Sequence, residues 1–84
     1  MNDALLKALA LMRSGQWAQA HDLVQQHDTP EAAWLHALLH LQEGDLANAE
    51  YWYGQAGRSF GQRLGLDEEL AAVERRLRGE AGRD

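Results

Sequence analysis

Leu6-Lys7-Ala8-Leu9 returns as Leu35-His36-Ala37-Leu38, and that return decides the fold. The same shift of 29 positions carries Gly15 onto Gly44, Ala18 onto Ala47, Ala20 onto Ala49 and Gln26 onto Gln55. A constant offset in this range marks stacked supersecondary units, each too small to bury its own apolar face. Inside the units, apolar residues recur at three- and four-residue steps, as in Leu5, Leu9 and Met12. That is the period of an amphipathic helix, not of a strand.

Working outward from the repeat, local punctuation divides the chain into helices. The first is predicted from about Asp3 to Ser14, capped by Asn2 or Asp3 and ended by Gly15. A second should run from about Trp17 to His27. Asp28-Thr29-Pro30-Glu31 then restarts the chain. Thr29 suits an N-cap, Pro30 suits the first helical position, and Glu31 meets the positive end of the helix dipole. The third helix is predicted to reach about Glu43. Gly44-Asp45 turns into a fourth, which should continue to about Gly57. The stretch from Gly54 to Gly65 is spaced with glycines and predicts a loop. Asp67-Glu68-Glu69 opens a last helix with the apolar stripe Leu66, Leu70, Val73 and Leu77. This helix is expected to dock on the fourth near Trp52 and shield the open end of the repeats.

The reading is therefore an all-α fold of two antiparallel helix hairpins plus a C-terminal capping helix. It forms a single helical repeat domain over residues 1–78, with units at about 4–27 and 33–57 and the capping helix at about 67–78. Residues 79–84 are expected to be a flexible tail. Leu9, Met12, Trp17, Ala20, Leu38, Leu41, Ala49 and Tyr53 are the expected core.

The paired helices resemble tetratricopeptide repeats. In that family a small residue lies mid-way along the first helix, followed by a Gly turn, an aromatic residue and an Ala. Ala8, Gly15, Trp17 and Ala20 match in the first unit. Ala37, Gly44, Leu46 and Ala49 match in the second, with Tyr53 and Ala56 at the family's later aromatic and small positions. The chain departs from the pattern in its shorter period, since the family repeats every 34 residues or about that. It also has two units only, and the consensus Trp of the first helix is displaced to Trp34 or absent. The resemblance implies a docking surface for another protein or peptide.

Composition narrows the function classes. There are no cysteines, which removes disulfides, thiolate zinc sites and thiol catalysis together. The first residues carry no basic segment before an apolar run, and polar residues break every apolar run. No secretory signal and no membrane span are expected, and a cytoplasmic location fits. The net charge of −5 is concentrated in residues 1–57, which hold seven acidic residues against Lys7 and Arg13. Such a surface disfavours nucleic acid. Gly54-Gln55-Ala56-Gly57-Arg58-Ser59 lacks the strand and the Lys-Ser or Lys-Thr of a phosphate loop. Arg58 and Arg63 around Phe60 are a poor nucleic-acid footprint. Ser14 and Ser59 sit in no nucleophile motif, so no enzyme is expected.

The second unit holds the residues that carry chemistry. His36 and His40 are four apart and project from one helix face, with Glu43 three further along. Imidazoles at this spacing can share a zinc ion, and a carboxylate can complete a three-ligand site. The plainer reading is a polar stripe that hydrogen-bonds within the fold or to a partner, with no resident metal or cofactor. Tyr51-Trp52-Tyr53 spans about 200° of a helix, so Tyr53 is the core residue of the three. Tyr51 and Trp52 are either an interface anchor or are covered by the last helix. Asn48 either holds a partner backbone or closes the turn at Asp45. The leading expectation is a protein-interaction module binding a partner segment through His36, His40, Glu43, Asn48, Tyr51 and Trp52. The alternatives are a small-molecule or metal-binding protein using His36, His40 and Glu43, and a self-associating unit that forms a homodimer.

Overall fold

The computed structural model describes residues 2–79 and contains five α-helices and no strand among them. They are α1 (Asp3–Arg13), α2 (Trp17–Val24), α3 (Pro30–Gln42), α4 (Leu46–Gln55) and α5 (Leu66–Leu77). A short 3-10 turn, Phe60–Gln62, lies between α4 and α5. Of the tail expected at 79–84, only Gly79 falls within the described residues.

The repeat is visible in the hydrogen bonds that end the helices. After α1, the Gln16 N–H donates to the Leu11 carbonyl at 2.9 Å and the Gly15 N–H to the Met12 carbonyl at 3.2 Å. After α3, at the same offset, Asp45 donates to His40 at 2.9 Å and Gly44 to Leu41 at 3.1 Å. Gly15 and Gly44 both have φ of 81°, the left-handed conformation this helix-ending motif requires. Helices α2 and α4 stop at Val24 and Gln55, two or three residues short of the expected ends, where their last residues tighten into turns.

The starts follow their caps. The Thr29 side chain accepts from the Ala32 N–H at 3.1 Å, with Pro30 in the first turn. Asp45 accepts from the Asn48 N–H at 3.2 Å and from the Asn48 side-chain amide at 2.8 Å. Asn2 does not cap α1 with its side chain, as had been expected of it. It donates instead to the Leu77 carbonyl at 2.9 Å and ties the start of α1 to the end of α5.

α3 is the centre of the molecule. Every residue from Ala32 to His40 is buried, so the helix is covered on all sides. Its sequence explains this: Ala32, Ala33, Trp34, Leu35, Ala37, Leu38 and Leu39 leave His36 and His40 as its only polar stripe over this span. α3 packs on α4, α2, α5 and α1, and α1 packs on α2. Ala20 and Ala49 are fully buried in the two hairpins, where their small side chains admit close helix approach. Of the expected core, Leu9, Met12, Leu38 and Tyr53 are buried as well. Trp17 and Leu41 are only half-buried.

α5 corrects the expected docking. Its backbone packs on α3 and α1 and not on α4, which it meets through the Glu69 side chain. Leu70, Val73 and Leu77 are buried there. The reason is the largely apolar surface of α3, whose side away from the histidines needs cover, while Trp52 is stacked on His36. Arg76 pairs with Glu31 at 3.1 Å, and Arg13 pairs with Glu74 at 2.7 Å.

One carboxylate crosses this interface. Glu69 is 2% exposed, and its Oε1 accepts from Trp34 Nε1 at 2.9 Å and from the Tyr53 hydroxyl at 2.7 Å. Its Oε2 accepts from the Leu64 N–H at 3.0 Å. Burial pushes the Glu69 carboxyl up, but these three donors and the Arg58 charge outweigh it and hold the group below its ordinary value. The Arg58 guanidinium lies 3.6 Å above the Trp34 ring.

Candidate functional site

α2 and α4 both lie against α3 but do not touch each other, which leaves a groove floored by α3. A cluster of imidazoles and indoles fills part of it. His36 and His40 rise from α3 one turn apart, their rings stacked with centroids at 5.1 Å. His21 enters from α2, and its Nε2 lies 3.0 Å from Nε2 of His36. Two neutral rings make this bond only when one presents Nε2–H and the other a lone pair.

Indoles bracket the cluster. Trp17 and His21 are four apart on α2, and their rings stack at 4.7 Å and 10°. Trp52 of α4 stacks on His36 at 4.0 Å and 10°. Trp17 Nε1 donates to the Leu39 carbonyl at 2.7 Å, which holds the indole at the groove edge and accounts for its partial exposure. Behind the cluster, Glu43 Oε2 lies 3.2 Å from His40 Nδ1.

Crowding disfavours charge on His36 and His21. Burial, then the neighbouring His21 and His40, hold His36 down at about 4. Burial and His40 also lower His21, against a smaller opposing pull from Asp22 and Glu43. His36 and His40 are 7% and 8% exposed, while His21 is half-buried and gives the cluster its opening to solvent.

Beyond His36 and Trp52 the groove continues as an open cleft of about 510 Å³. Val24, Ala32 and Ala33 give it an apolar lining, and Gln25, Asp28 and Gln55 give it polar groups.

Of the six residues expected to bind a partner, the structure brings His36, His40, Glu43 and Trp52 together. Tyr51 flanks Trp52 edge-on at 5.2 Å and is 56% exposed. Asn48 is occupied with Asp45 at the start of α4. Sequence reasoning missed His21 as a member of the cluster and placed Trp17 in the core. The signal was present: Trp17 and His21 have the same four-residue spacing as His36 and His40.

Compared with known proteins, the chain matches no family model, no curated protein and no solved structure.

Proposed function

We propose that this domain is a protein-binding module of the tetratricopeptide kind, taking a segment of a partner protein in the groove between α2 and α4. The observation that carries the reading is the cleft of about 510 Å³ between α4 and the segment that joins α2 to α3, which ends on half-buried Trp52 beside His36. Aromatic side chains at the end of an apolar floor are the usual anchors of protein interfaces. The occupant that fits is a peptide segment with an aliphatic or aromatic residue beside a Lys or Arg. Its apolar residue would lie on Ala32, Ala33 and Trp52, and its cation would meet Asp28. The excess of acidic residues in the two hairpins steers such a segment inward and repels phosphate-bearing partners and anionic membranes. The reading assigns the module no catalytic step.

Selection of random displayed peptides on the intact chain tests it. Enriched peptides should combine a basic and an apolar residue. Their affinity should fall by tenfold or more, roughly the effect of one lost anchor, in both Trp52→Ala and Asp28→Lys. Enrichment that is indifferent to both substitutions would place recognition elsewhere. Concentration-dependent light scattering with no peptide enrichment would favour the self-associating unit.

A further inference from the structure

We propose that His21, His36 and His40 form a three-histidine site for a divalent transition-metal ion, with zinc the best fit and Glu43 orienting His40 from behind. The site does not depend on a peptide partner. One donor nitrogen from each ring lies within 4.8 Å of the other two. The closest pair, Nε2 of His21 and Nε2 of His36, is 3.0 Å apart. Two nitrogens bound tetrahedrally to zinc at 2.0–2.1 Å stand roughly 3.3–3.4 Å apart. His21 and His36 therefore need only a few tenths of an ångström of adjustment to exchange a shared proton for a shared metal, and His40 must close in from within 4.8 Å.

The surroundings match what such a site requires. Metal-bound histidines characteristically give their second nitrogen to a carboxylate or carbonyl, which fixes the tautomer. The Glu43 carboxylate can only accept, so it takes the Nδ1–H of His40, and in the neutral ring Nε2 then carries the lone pair. Stacking on Trp17 and on Trp52 holds the His21 and His36 rings in place. The three rings make no hydrogen bonds among the described residues except His21 to His36 and His40 to Glu43. At the convergence, the Nε2 atoms of His21 and His36 have only each other as partners, so a metal ion there would displace a single hydrogen bond. An all-imidazole donor set suits zinc, nickel and copper and does not suit magnesium or calcium. Three protein ligands leave a fourth position for water, and half-buried His21 supplies the way in.

A second group, His40, Glu43 and Asp45, also brings three donors together, but it is a poorer site. Both oxygens of Asp45 already accept from Asn48 at the start of α4, and Glu43 is committed to His40. An ion there would have to break the helix cap.

Titration of the intact, chelator-treated chain with zinc, followed by calorimetry, tests the proposal, with cobalt as an optical probe of tetrahedral coordination. A single site tighter than about 1 µM is expected. His21→Ala should weaken it by about a hundredfold, Glu43→Gln by tenfold or somewhat more, and His27→Ala should leave it unchanged. Should the variants unfold, imidazole nitrogen NMR of the native chain decides. Zinc must shift His21, His36 and His40 and spare His27. Zinc binding weaker than about 10 µM would overturn the site. So would binding that survives His21→Ala and is lost in Asp45→Asn, because the carboxylate group would then be the ligand set.

Discussion

The Tyr53 hydroxyl donates a 2.7 Å hydrogen bond to Glu69, although the backbones of α4 and α5 do not pack on each other. The carboxylate therefore does what the backbone does not: it ties α5 to α4. Removing it takes the acceptor from Trp34 Nε1 and from the Tyr53 hydroxyl, both of buried residues. Glu69→Ala is expected to cost about 2–4 kcal/mol in urea denaturation. Tyr53→Phe leaves Oε1 with Trp34 and should cost about 1–2 kcal/mol. Because the two share one network, the double variant should fall short of their sum. A Glu69→Ala loss of only about 0.5 kcal/mol, typical of a surface site, would contradict this account.

Gly15 and Gly44 test whether the two turns are physically equivalent. Both have φ of 81°, and a Cβ built on either meets nothing within 4 Å. The cost of Gly→Ala is thus purely a backbone cost, about 1–2 kcal/mol for a left-handed residue. Gly15→Ala and Gly44→Ala should give equal losses in chemical denaturation. Unequal losses would show that the units differ in how their turns are held.

The hairpins were legible because their signals are local. A left-handed glycine, a Thr-Pro start and an Asp cap act over a few residues, and the 29-residue offset repeats the glycine and the seam alanines. The docking of α5 was not legible. The stripe Leu70, Val73 and Leu77 states that the helix must be covered, but an apolar stripe does not say by what. The composition of α3 is the better guide, since a helix whose only polar stripe between Ala32 and His40 is His36 and His40 needs neighbours on nearly every side. The same limit applies to the histidine cluster. His36 and His40 share a helix, so their spacing reveals them. His21 joins them through the packing of α2 on α3, which no short-range pattern encodes.

Ala20 and Ala49 should respond alike to enlargement. Each is fully buried, at equivalent places in the two hairpins. Ala20→Leu and Ala49→Leu are expected to destabilise by about 1–3 kcal/mol through overpacking. Midpoints unchanged in both would mean that the helices are not in close contact at these residues.

Stability should depend on pH through His36. The unfolded ring titrates near 6.5, and the folded one is held down at about 4 by burial and by His21 and His40. Below pH 6.5 the unfolded chain takes up a proton that the folded chain refuses, so acid favours unfolding. The contribution is fully present above the unfolded value and is lost progressively as the pH falls toward the folded one. From pH 7 to pH 5 the loss should be about 2 kcal/mol, measured by urea denaturation with a chelator present. His36→Phe keeps a ring between Trp52 and His40 and removes the proton. Its stability should change much less over that interval, and a slope equal to that of the native chain would assign the effect to another group.

α5 is expected to be integral to the domain. Val73 is fully buried on α5, which packs on α3 and α1, and the ion pairs Arg76–Glu31 and Arg13–Glu74 lie along the same contact. The exposed ion pairs contribute little individually, so the apolar stripe dominates. Val73→Asp places an unpaired carboxylate in that seam and should cost about 3 kcal/mol or more, enough to threaten a domain of this size. Deletion after Gly65 goes further, because it also removes Glu69 and uncovers Trp34 and Tyr53. The truncated chain should bind a hydrophobic dye and scatter light at concentrations where the intact chain does not. A truncated chain that stays monomeric and melts at the same temperature would show that α5 is an independent appendage and that α3 has no need of it.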